Sequence, residues 1–155
     1  MTDPTLPLDG GCRCGKVRIR LAKPALLTAA CHCTGCQKMT GGAYSLSVTV
    51  PAEGFALVSG DPVVGGLRGP QVHHHHCSAC MSWVYTKVEG MDFFVNVRAT
   101  MLDEARWFRP YLECWTSEAL PWAVIGAPRS HETMPSEMAE YQALIAEYAE
   151  YGARP

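Results

Sequence analysis

"CHCTGCQKMTGG", Cys31 to Gly42, packs three cysteines into six residues and follows them with a lysine and a glycine pair. How those thiols are used decides whether the chain is a disulfide scaffold or a domain folded around metal. Three thiols are one short of a closed four-ligand zinc site and one too many for a simple disulfide. On an extended strand Cys31 and Cys33 share a face, and a turn at Thr34 and Gly35 lets Cys36 curl back, so three sulfurs converge while His32 points the other way. Such a set leaves a fourth position for water or a substrate atom, as zinc catalysis requires, and thiolate ligands suit an incoming sulfur. Two other uses stay open. Cys114 or a histidine closes the site and makes it a staple, or the three thiols stay metal-free and redox-active.

Outward from this stretch, Cys12 and Cys14 lie in "GGCRCGKV" and Cys77 and Cys80 in "HCSAC". Residues two apart in a strand present both sulfurs to one side, with Arg13 facing away. The Cys77–Cys80 spacing is that of a zinc knuckle, in which two thiolates grip one side of a tetrahedral ion. Together the pairs supply four ligands and no open position, which predicts a structural zinc tying the first hairpin to the middle of the chain. Two zinc ions per chain are expected, one structural and one catalytic.

Around the cysteines the chain reads as short strands. Val17, Ile19 and Leu21 alternate in "KVRIRLA", Leu46, Val48 and Val50 in "SLSVTV", and Phe93, Val95 and Val97 in "FFVNVRA". The intervening "PAEG", "SGDP" and "GGLRGP" are turns. One helix is predicted near the C-terminus, about 136–151, with Ser136 as cap, Glu137 and Glu140 in its first turn, and a stripe of Met138, Tyr141, Ile145 and Tyr148 before Gly152. The fold class is mainly β with a C-terminal helix, in one domain over 1–155.

With 155 residues, 48% of them apolar, the chain can bury a core. Its net charge of −2 and lack of a basic run argue against nucleic-acid binding. "MTDPTLPLDG" lacks the basic end and apolar segment of a secretory signal, and the apolar stretches around "PALLTAAC" and "PWAVIGAP" are too short and too broken for a membrane anchor. The expected location is the cytoplasm, where eight cysteines serve as metal ligands or reactive thiols rather than disulfides. Nothing in the sequence fixes an oligomeric state.

In order, "GGCRCGKV", "CHCTGCQKMTGGAY", "HCSAC" and "CWTSEALPWA" span roughly residues 10 to 125 and resemble the glutathione-dependent formaldehyde-activating enzyme family, whose domain also occurs in centromere protein V relatives. The resemblance implies tent-like antiparallel sheets, a structural zinc on Cys12, Cys14, Cys77 and Cys80, and a catalytic zinc on Cys31, Cys33 and Cys36. It implies condensation of glutathione with formaldehyde to S-hydroxymethylglutathione, a carbon–sulfur lyase reaction in reverse, with another thiol or aldehyde as a variant. The competing reading is a noncatalytic zinc module that binds protein partners. Three features depart from the family pattern: Met81 stands where glycine usually follows the second knuckle, Gln37 replaces an arginine, and Glu113 and Cys114 precede Trp115 where a histidine is common.

An anionic tripeptide needs donors, and Lys38, the amides near Gly41 and Gly42, Arg68 and Arg98 are candidates. The run His73–His76 reads as an exposed polar strand edge or as a partner or ligand of a metal site. Trp107, Trp115 and Trp122 are expected in the core, with the lining of a pocket as the alternative, and Cys114 as a small buried hydrophobe.

Overall fold

A computed structural model describes residues 5–67 and 69–155; Arg68 and the first four residues lie outside it. The chain runs β1 (Leu8–Gly11), β2 (Arg18–Leu21), β3 (Leu27–Cys31), α1 (Thr34–Thr40), β4 (Ser45–Pro51), β5 (Phe55–Ser59), β6 (Pro62–Gly65), β7 (Val72–Cys77), β8 (Trp83–Val88), β9 (Phe94–Arg98), β10 (Leu112–Cys114), β11 (Arg129–Ser130) and α2 (Met138–Tyr151). Two sheets result: a small one in the order β1-β2-β5, and a large one in the order β11-β10-β3-β4-β9-β8-β7-β6. The pairings are antiparallel except at one edge, where β10 runs parallel to both β3 and β11. The mainly β class with a C-terminal helix is therefore as the sequence predicts, with a parallel seam added.

Alternation explains the core. Ile19 and Leu21 are fully buried, as are Val48, Val50, Val95 and Val97, each on the inward side of a strand with period two; Val17, equally buried, lies just before β2. Phe93 does not join them; it precedes β9 and is exposed. Strands β3, β4, β9 and β8 form the middle of the large sheet. β3 and β9 flank β4 in antiparallel register, with Cys31 opposite Ser45 and Arg98 opposite Ser47. The backbone pair Gly10–Leu102 joins the small sheet to the segment after β9.

The C-terminal helix differs from expectation at its start. Its N-cap is Glu137, whose carboxylate and that of Glu140 form a reciprocal capping box; Ser136 lies outside it and donates its backbone N–H to Glu140. The packed face is carried by Leu144 and Tyr148, with Met138 exposed. Tyr148 meets Tyr111 edge-on at 5.6 Å, which docks the helix beside the β3–β10 seam. Gly152 follows with an ordinary φ of −75°. Its need for glycine is steric: a Cβ there would lie 2.0 Å from the Tyr148 ring. Among the described residues no helix is long and apolar enough to cross a membrane.

Candidate functional site

The four-cysteine set assembles across the two sheets. Cys12 and Cys14 are not in a strand; they occupy the turn between β1 and β2, where Cys12 N–H donates to the Val17 carbonyl and Gly15 N–H to that of Cys12. Both sulfurs reach one side because the turn folds back, a local hydrogen-bonding outcome that spacing alone does not distinguish from strand alternation. Cys77 ends β7, and the knuckle closes when Cys77 N–H donates to Ser82 O and Met81 N–H to Cys77 O. That closure puts Met81 at φ +60°, the left-handed region that favours glycine. The non-glycine residue accepts the strained conformation, and the turn is kept.

The Sγ atoms of Cys12 and Cys14 are 3.6 Å apart and those of Cys14 and Cys77 3.7 Å. Zn–S bonds of ~2.3 Å at tetrahedral angles put sulfurs about 3.8 Å apart, so the set fits that ion, and all four sulfurs lie within 4.8 Å of one another. Proton affinities divide unevenly among them. The Ser82 hydroxyl and N–H pull Cys80 down to about 5. Burial raises Cys12, but the Val17 N–H and the neighbouring thiols leave it below its ordinary value. Cys14 is lowered by the Lys16 amide, yet burial and the adjoining sulfurs outweigh that and carry it to about 11. Four touching sulfurs cannot all ionise without a cation between them; a divalent metal supplies that charge and displaces the protons.

The second set is built differently from the predicted strand and turn. β3 ends at Cys31, and Thr34 to Thr40 is a helix, α1, with Cys33 as its N-cap. The Cys33 sulfur accepts the N–H of Cys36 at 3.3 Å, so the first helical turn brings Cys36 back toward it. Gly41 closes the helix in the left-handed conformation. The Sγ atoms of Cys31, Cys33 and Cys36 also lie within 4.8 Å of one another. Among the described residues no fourth ligand group joins them. Cys114, opposite Cys31 in the β10–β3 register, instead turns its S–H to the Ala30 carbonyl at 3.5 Å. Its proximity and burial push the Cys31 thiol up, and Cys31 and burial do the same to Cys36.

His32 points away from the sulfurs into the protein, fully buried, with Nε2 2.9 Å from Glu113. Glu113 also accepts the N–H groups of Ile125, Gly126 and Ala127 at 2.8, 3.0 and 3.0 Å. One buried carboxylate thus pins the end of β3 to the loop after β10. Gln37 fastens the other side, its amide donating to His32 O at 2.7 Å and Glu118 O at 3.0 Å. The two departures from the family pattern at Gln37 and Glu113 are therefore a clamp around the three-cysteine turn. The sequence marks Gln37 and Glu113 only as departures, without their clamping role, and does not single out Ser45; the available signal for Glu113 is a lone acid inside the apolar run "YLECW".

A cleft of about 340 Å³ opens beside this set, lined by Met39, Tyr44, Ser45, Met81, Trp83 and Arg98 among others. The Ser45 hydroxyl donates to Cys36 Sγ at 3.1 Å. Lys38 is exposed on α1 and does not line the cleft. The histidine run forms β7, between β6 and β8, so it is an interior strand rather than an edge. His74 and His76 pack on Trp83 and His75 stacks on Tyr85; burial lowers His74 to about 4. None of the four is in a potential metal-holding group among the described residues. Of the tryptophans, Trp107 is core, Trp115 partly buried against it, and Trp122 exposed.

The family model of the glutathione-dependent formaldehyde-activating enzymes matches residues 7–118. The chain belongs to that family. A Halomonas elongata protein provisionally named a glutathione-dependent formaldehyde-activating enzyme is 31% identical over 88 residues. That match takes in 50% of this chain and 55% of the relative, so the chain spans about half the length of the curated relative it matches. A crystal structure of a Rhodobacter sphaeroides protein superposes with a TM-score of 0.52 at 18% identity, over 62% of this chain and 88% of that one, a likeness of fold. The family match takes in both cysteine sets and the Gln37–Glu118 clamp of this formaldehyde-activating enzyme relative.

Proposed function

We propose that the chain is a zinc-dependent carbon–sulfur lyase of the formaldehyde-activating type, condensing glutathione or a related thiol with formaldehyde. The observation that carries the reading is the three-sulfur set at a cleft: Cys31, Cys33 and Cys36 converge, and Cys114 is turned to a backbone carbonyl instead of closing the set. Cys31, Cys33 and Cys36 would hold one zinc ion, and Cys12, Cys14, Cys77 and Cys80 another that staples the sheets. When bound, zinc supplies the positive charge that keeps sulfur ionised near neutral pH.

The rest is the work of the chain. The Ser45 hydroxyl, hydrogen-bonded to Cys36, fixes that sulfur's direction. The cleft walls at Met39, Met81 and Trp83 would hold thiol and aldehyde together, converting a two-body encounter into a positioned one. The thiol gives up its proton, the sulfur electron pair forms the C–S bond, and the carbonyl π pair moves to oxygen, which takes a proton to give the hydroxymethyl thioether. Reversal breaks the same bond. The reading places the protein in the reducing cytoplasm, where its eight free cysteines stay available as ligands.

Exchange NMR on glutathione and carbon-13 formaldehyde tests this. The zinc-loaded wild type is expected to raise the rate of adduct formation at least ~10-fold over the spontaneous reaction, a modest share of what positioning can supply. Cys33→Ser is expected to return it to the spontaneous rate. Equal rates with and without wild-type protein would leave a noncatalytic zinc module as the better account.

A further inference from the structure

Arg98 ends β9 and is 8% exposed. Among the described residues no carboxylate lies within ion-pair distance of it, although the exposed Arg18, Arg20 and Arg129 all have one. Its guanidinium carbon sits 4.1 Å from the centre of the Trp83 ring. Nη1 donates a long hydrogen bond of 3.4 Å to Ser45 Oγ, and the buried Nε has no partner. Burial lowers the guanidinium to about 10, with the Cys36 and Cys31 sulfurs acting in the opposite direction, so it remains a cation at neutral pH.

An ion held this deep is ordinarily paired, because removing it from water costs far more than stacking on an aromatic ring returns. Arg98 lines the cleft, and it is one hydroxyl away from the reacting centre, since Ser45 bridges it to Cys36. The planar fork of a guanidinium matches a carboxylate in a two-point contact. The stack on Trp83 holds that plane in place before any ligand arrives.

We propose that Arg98 reads the carboxylate of the incoming thiol and sets the specificity of this cleft for anionic thiols over neutral ones. The inference rests on the proposed thiol-binding function and goes beyond it in naming the residue that selects the substrate. Lys38, the alternative donor beside the cysteines, lies outside the cleft.

Calorimetric titration of the zinc-loaded protein with glutathione, and with glutathione whose two carboxylates are esterified, tests the assignment. Wild type is expected to bind free glutathione at least ~10-fold more tightly than the ester, the order of one charge-assisted contact. Arg98→Gln is expected to bind both as weakly as wild type binds the ester, with zinc content unchanged, and Arg98→Lys to recover part of the difference. Equal wild-type affinity for the two ligands overturns the proposal without recourse to any variant. So does an Arg98→Gln protein that keeps the preference, or one that loses zinc, since the guanidinium then serves only to offset the thiolates. A wild type that binds neither thiol fails the proposed function itself, and the inference with it.

Discussion

Glu113→Ala is expected to destabilise the fold by about 2–3 kcal/mol, the order of the cost of leaving a buried donor without its charged acceptor. The carboxylate is 2% exposed and accepts from His32 Nε2 and three consecutive backbone N–H groups. Alanine would leave the buried His32 Nε2 and the part-buried N–H groups of Ile125, Gly126 and Ala127 without that acceptor, and His32 Nδ1 already has none. Urea unfolding measures the loss, and Glu113→Gln, which keeps one acceptor oxygen, is expected to cost less. A change below about 1 kcal/mol would mean that water replaces the carboxylate. The same group contributes a pH dependence. Burial raises the Glu113 carboxyl, but the Ile125 and Ala127 amides and His32 outweigh it and hold the group below its ordinary value. Its stabilisation is therefore complete above the unfolded-state value of about 4.3 and is lost as pH falls through the lower, folded-state value.

Cys77→Ser is expected to have the larger effect on the whole molecule. The buried Cys77 belongs to the large sheet, while Cys12 and Cys14 belong to the turn of the small one, so their shared ion would be the cross-link between the two sheets. Binding energy of a structural zinc is folding energy. Losing one ligand of four is expected to lower the thermal midpoint by about 10 °C or more, and a strong chelator should do to the wild type what the substitution does. Cys33→Ser should leave the midpoint within a few degrees, because its set lies at a cleft and links only β3 to the adjoining α1. Equal midpoints for wild type and Cys77→Ser would remove the staple from the account.

The strands were legible because a half-buried strand writes its period into the residues: Ile19 and Leu21, Val48 and Val50, Val95 and Val97 alternate and are buried as the pattern says. The cysteine groupings were legible because sulfur ligands at short spacing have few ways to converge. What surrounds them was not. A seven-residue helix at Thr34–Thr40 has no buried residue of its own, so it leaves no apolar stripe, and it is held through its Gln37 by Glu118 from far along the chain. The role of Glu113 depends on its register opposite Ala30 and on a loop 12 to 14 residues later. The histidine run looked like an edge because its residues are polar; pairing with β6 and packing on Trp83 and Tyr85 make it interior. Met81 shows the converse, a residue that the sequence marks as standing where glycine is usual and that adopts the glycine conformation.

The most direct test of the central claim is zinc per chain by elemental analysis, on wild type and on Cys33→Ser, after washing with a weak chelator to strip ions from the surface. Two sulfur sets predict about two zinc ions in the wild type and about one in the variant, with the four-cysteine ion retained. One zinc ion in both proteins would contradict the account, because Cys31, Cys33 and Cys36 would then hold no metal for a thiol to approach.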